Sequence, residues 1–65
     1  MTQQAIDKIK QAYRWNREKQ IAALLEADLI MFNYYAAALD RAQTILETMM
    51  DKADAAILIC EWEAA

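Results

Sequence analysis

The chain contains no glycine and no proline. These are the residues that most often stop a helix, so no position carries a strong breaker. Histidine and serine are missing too, and Cys60 is the only thiol. A lone cysteine forms no disulfide within the chain, and without histidine it makes no zinc site. The most frequent general base and the most frequent hydroxyl nucleophile are therefore both absent. So is the Glu-x-x-His spacing of di-metal carboxylate bundles. Carboxylates do occur in near pairs: Glu26 with Asp28, Asp51 with Asp54, and Glu61 with Glu63. Acid–base work by such pairs needs a cleft that pushes their pKa values apart. A helical chain of 65 residues offers little room for one. The expectation is a protein that is not an enzyme and carries no cofactor and no metal.

What remains is strongly helix-favouring. Alanine is the commonest residue, and 58% of the chain is apolar, which excludes a generic disordered tail. Residues 1–65 make one domain. A domain of about 60 residues buries only about 60% of its unfolded surface and is marginal alone. Disulfides and metals being excluded, oligomerisation is the remaining way to add stability. A single cysteine fits a reduced, cytoplasmic setting. The chain does not open with a basic segment, an apolar segment and a cleavage site, so no secretory leader is expected.

The stretch from Ile21 to Leu39, IAALLEADLIMFNYYAAAL, is dense in large apolar side chains. Leu29, Ile30, Met31 and Phe32 follow one another directly. Steps of about 100° place four such side chains all the way round a helix. A helix that is apolar all round is buried all round or spans a membrane. Glu26, Asp28 and Asn33 argue against spanning, which wants roughly 18 or more apolar residues with few charges. The expectation is a core segment whose excess apolar surface asks for a second copy or another protein.

Charge is unevenly placed. Residues 1–20 carry Lys8, Lys10, Arg14, Arg17 and Lys19 against Asp7 and Glu18, a local +3, and residues 21–65 a local −6. Thr2 can cap a first helix, with Asp7 placed where the helix dipole favours an acid. Ile6, Ile9, Tyr13, Gln20, Leu24 and Ala27 form one thin stripe, with Asn16 on its edge, which predicts a peripheral segment. From Leu25 a heptad reads Leu25, Asp28, Phe32, Tyr35, Leu39, Ala42, Leu46, Met49, Ala53, Ala56, Cys60. Ile45, Met50 and Ile57 widen it as in a bundle. Lys10, Arg14 and Arg17 repeat the spacing of Glu47, Asp51 and Asp54. Laid antiparallel, Lys10 meets Asp54, Arg14 meets Asp51 and Arg17 meets Glu47. Such exposed pairs contribute about 0–1 kcal/mol each and serve register more than stability.

Two all-α arrangements satisfy that register: a two-helix hairpin with its tip near Phe32 and Asn33, or one long, kinked helix pairing with a second copy. Asparagine tolerates the left-handed conformation of a tight connection. The reading adopted has two helices with a short break in the 26–34 region, assembled as a homodimeric bundle. Its dimer core is Leu25, Leu29, Phe32, Tyr35, Leu39, Leu46, Met49 and Ile57. Two other patterns, Asp40 to Gln43 and Thr44 to Glu47, resemble capping boxes, but mid-helix sequence explains them better. Glu61 and Glu63 sit badly against a helix C-terminal dipole, which predicts fraying there.

Interaction is the function class these residues favour. Trp15, Trp62, Tyr34 and Tyr35 are candidate interface anchors, since aromatics dominate hot spots, though for the two tyrosines a place in the core or the dimer contact is the better reading. Lys10, Arg14, Trp15 and Arg17 form the candidate partner surface, toward a host or phage protein. Nucleic acid is the alternative partner, through the basic segment with its interleaved aromatics. No membrane role is expected, because the basic face is only modestly apolar. The stretch AYRWNREKQIAALLEADL, with the size and all-helical make-up, resembles the small accessory proteins of the exo–xis region of lambdoid bacteriophages. The resemblance implies a non-enzymatic dimer that biases host physiology or the lysis–lysogeny choice through partners. It carries over no functional residue.

Overall fold

A computed structural model of the chain describes residues 2–64, with side chains from residue 3 onward. Its helices are α1 (Thr2–Leu25), α2 (Leu29–Glu47) and α3 (Lys52–Ala64), and no strand occurs among the described residues. Thr2 lies within α1, and its side chain falls outside the description. No helix is long and apolar enough to cross a membrane among these residues. The long axis measures 37 Å, the length of α1 itself at 1.5 Å per residue.

The all-helical expectation is met, but the two-helix one is not: there are three helices. The first break falls at the start of the expected region, at residues 26–28 rather than at Phe32 and Asn33. It is a Schellman turn. The Asp28 amide donates to the Ala23 carbonyl at 2.8 Å, and the Ala27 amide donates to the Leu24 carbonyl at 3.0 Å. The left-handed residue is Ala27, with φ of 57°. A Cβ there costs about 1 kcal/mol relative to glycine. Asp28 repays part of that cost. Its Oδ1 accepts from the Met31 amide at 3.1 Å and caps α2. Asp28 is therefore a cap and not a seam residue.

The second break, at 48–51, was not expected. Thr48 competes for the helix's own acceptor: its hydroxyl donates to the Ile45 carbonyl at 2.6 Å, as its amide does at 3.1 Å. Asp51 then precedes α3, and its carbonyl accepts from the Ala55 amide. The turn resets the helical phase. In α3 the buried residues are Ala55, Ile59 and Trp62, while Ala53, Ala56 and Cys60 of the expected heptad are exposed. The capping-box lookalikes are mid-helix, with Thr44 bonded back to the Asp40 carbonyl.

α1 and α2 form an antiparallel hairpin across the turn at 26–28. α3 lies across its open end and returns along α1, bringing Trp62 to Tyr13, with ring centroids 5.8 Å apart. The core is Tyr13, Leu39, Ala42, Leu46, Ala55, Ile59 and Trp62, with Ile6, Ile9, Met50 and Leu58 packed against it. α1 is therefore no peripheral segment, since Tyr13 stands in the core. Trp62 is likewise a core residue and not a surface anchor.

Candidate functional site

α3 is only 13 residues long and stops beside the middle of α1. That length divides the molecule. At the base three helices meet and enclose a core. At the tip, formed by the end of α1 and the start of α2, no other described residue covers the hairpin. By 100° steps, Ile21 and Leu24 project from the same side of α1 as Tyr13 and Arg17, which do meet α3. The stripe continues along α1 for about two turns beyond the part that the described residues of α3 meet.

The consequence is a cluster of bare apolar side chains. Leu25 is 83% exposed and Ile30 82%, and Ile21, Leu24 and Leu29 are each half exposed or more. Met31 and Phe32 are half-buried. Of the run expected to be buried all round, Leu29 and Ile30 are exposed within one chain, and only Met31 and Phe32 are partly covered. The eight residues proposed for a dimer core accordingly fall into different settings. Leu39 and Leu46 belong to the chain's own core. Phe32, Tyr35 and Met49 are half-buried, and Leu25, Leu29 and Ile57 are exposed.

Where α3 ends, its last turn is held by polar contacts. The Tyr13 hydroxyl donates to Glu63 at 2.6 Å, and the Arg17 guanidinium pairs with the same carboxylate at 3.2 Å. Arg17 also donates to Gln20, which is buried. Burial chiefly pushes the Tyr13 phenol up, to about 12, and the hydrogen bond and the charge of Glu63 add to the rise. Arg17 opposes the rise. Glu63 thus anchors the helix end that its charge led one to expect frayed. Beside it Tyr13, Arg14, Arg17, Glu18, Ile21, Trp62 and Glu63 line a notch of about 360 Å³, open to solvent.

The expected antiparallel ion pairs do not form. Among the described residues Arg17–Glu63 is the ion pair present, and Arg17 does not reach Glu47. With the tip at 27 instead of 32, every α1–α2 facing pair shifts, and residues 51 and 54 leave that pairing altogether. The four residues of the candidate partner surface are not one surface either. Arg14 and Arg17 line the notch beside α3. Trp15 stands on another side of α1 and meets the Tyr35 ring edge-on, at 6.0 Å. Lys10 is half-buried.

A second concave surface escaped the sequence reading. Lys8, Ile9, Ala12 and Asn16 of α1 and Ala38, Arg41, Ala42 and Ile45 of α2 line a groove of about 330 Å³. Three of its eight lining residues are alanines. Their spacing, Ala12 on one helix with Ala38 and Ala42 on the other, was the available signal, but it is readable only once the register is known. No group of three or more potential metal ligands occurs among the described residues. No protein-family model, curated protein or solved structure matches this chain.

Proposed function

We propose that the chain is a non-enzymatic helical protein that works through protein contacts and forms a homodimer by covering its hairpin tip with a second copy. One observation carries this reading: the near-complete exposure of Leu25 and Ile30 at the end of the hairpin. A stable interface removes about 800 Å² per partner, and Ile21, Leu24, Leu25, Leu29 and Ile30, each half exposed or more, supply a contiguous apolar part of such a patch. Half-buried Phe32 and the turn residues between them extend that surface. A two-fold contact uses one self-complementary patch, and an apolar tip meets this condition without charge matching. The marginal stability of so short a chain favours the same outcome. The resemblance of AYRWNREKQIAALLEADL extends the proposal to a cytoplasmic prophage accessory factor that modulates host physiology or phage development.

Sedimentation equilibrium tests the dimer. The expected result is a dimer for the wild-type chain and a monomer of unchanged helicity for Leu25→Glu with Ile30→Glu. Both positions are exposed, so the monomer fold tolerates the charges. A wild-type chain that stays monomeric across the concentration range overturns the reading.

Nucleic-acid binding by the basic segment is the second reading, supported by exposed Lys8, Arg14 and Lys19 beside exposed Trp15. Against it, the cations divide between two sides of α1. Lys8 lines the groove, while Arg14 and Arg17 line the notch. Phosphate neutralisation needs them on one accessible face. Adding short duplex DNA at low salt to the same run decides between the two, since binding of this kind weakens steeply with salt.

A further inference from the structure

From the groove between α1 and α2 we infer an interaction site for an acidic amphipathic helix of a partner protein. The inference rests on the reading that this chain works through protein contacts, and it names the partner's chemistry. The groove has an apolar floor, made by Ile9, Ala12, Ala38, Ala42 and Ile45. Its lining includes the cations Lys8 and Arg41 and no acid. No α3 residue lines it, so it is separate from the notch beside Glu63.

Toward the tip the groove continues into aromatics. Trp15 stands about one turn beyond Ala12, and Tyr34 about one turn before Ala38. Trp15 meets Tyr35, and Tyr35 meets Tyr34 edge-on at 5.2 Å, so the three rings form one cluster spanning both helices. Trp15 and Tyr34 keep more than half of their surface exposed. The Lys19 ammonium lies 5.4 Å from the centroid of the Trp15 ring and adds a third cation to the same side. None of Lys8, Lys19 and Arg41 has a carboxylate partner among the described residues. The acids nearest in sequence do not line the groove, and Glu18, beside Lys19, faces the notch. Asp40 projects about 100° round α2 from Arg41, and Asp7 accepts from Gln3 at 2.9 Å.

An apolar trough flanked by unpaired cations, with rigid aromatics at one end, selects a helix of opposite pattern. Such a helix lays large apolar residues at i, i+4 and i+7 into the trough and turns glutamates or aspartates to its rim. In a protein of net charge −3 this concentration of uncompensated positive charge runs against the overall balance. That contrast is what specifies an acidic partner over a neutral one.

The test is a fluorescence-anisotropy titration of the full chain with a labelled synthetic helical peptide bearing leucines at i, i+4 and i+7 between glutamate flanks. The comparison probes are the same peptide with lysine flanks and a short oligo(dT). The acidic peptide is expected to bind, to weaken with salt, and to lose at least tenfold in affinity in Arg41→Glu and in Ile45→Glu. Both of these residues are exposed, and unchanged helicity shows that the variants still fold. Leu25→Glu, which breaks the tip contact, is expected to leave peptide affinity unchanged. Failure of the tip dimer is thus read in sedimentation and failure of the groove in the titration. Equal binding of the lysine peptide, tighter binding of oligo(dT), no binding of the acidic peptide, or indifference to Arg41→Glu each overturns the inference.

Discussion

The base and the tip of this molecule both carry large apolar side chains, yet only the base is a core. At the base Leu46 is 0% exposed, and Tyr13, Ile59 and Trp62 close around it. At the tip Leu25 and Ile30 lie open. The difference is not in the residues but in the number of helices present. Two helices can hide only the strip between them, whereas a third adds a floor. Among the described residues α3 runs to Ala64, and its last turn is held beside Arg17 by Glu63. Hydrophobicity states that a surface needs covering; topology decides whether the same chain covers it.

Truncation experiments give the largest expected contrast. Leu46→Ala should cost about 3 kcal/mol, since it empties a fully buried site. Leu25→Ala should cost less than about 0.5 kcal/mol in the monomer. Urea melts at low concentration measure both. Equal costs would erase the distinction between the two regions.

The next effect belongs to the base alone. Tyr13 has a folded pKa of about 12 against an ordinary value of 10.0, because burial and Glu63 disfavour its phenolate. The neutral phenol's contribution is fully present below pH 10 and is lost as pH rises through 12. The loss should be on the order of 2 kcal/mol. Melts across that range should show it in the wild-type chain, with a smaller decline in Tyr13→Phe. Parallel declines would mean that Tyr13 does not clamp α3 to α1.

The smallest effect belongs to the tip. Ala27→Gly removes the Cβ from a left-handed position and should stabilise the fold by about 1 kcal/mol. A destabilisation there would contradict the Schellman geometry of the turn.

Much of this fold was legible in the residues. The lack of glycine and proline together with abundant alanine points to helices, and Leu39, Ala42 and Leu46 follow the heptad into the core. The first break lies within the 26–34 region that the residues point to, at 26–28 and not at the Phe32–Asn33 tip of the hairpin arrangement. Asn33 is the better left-handed residue, yet the turn puts Ala27 in that conformation and caps the next helix with Asp28. The second break was hidden because Thr48 and Asp51 are ordinary helix-surface residues until the apolar phase is compared across them. Ala55, Ile59 and Trp62 are in step with one another and out of step with the heptad. That missed turn also misplaced the acidic row, so the expected ion pairs had no chance to form. Neither the notch nor the groove was legible, since each is made by pairs of helices whose register depends on the turn.

The most direct test of the account is amide hydrogen exchange, followed residue by residue at high and low protein concentration. The amides of residues 20–25 and 32–36, at the tip, are expected to be protected in the concentrated sample and to lose protection on dilution. Those of Leu39, Leu46 and Ile59 are expected to keep theirs. Tip amides protected as well as base amides at every dilution would mean that the hairpin needs no second copy, and would contradict the account.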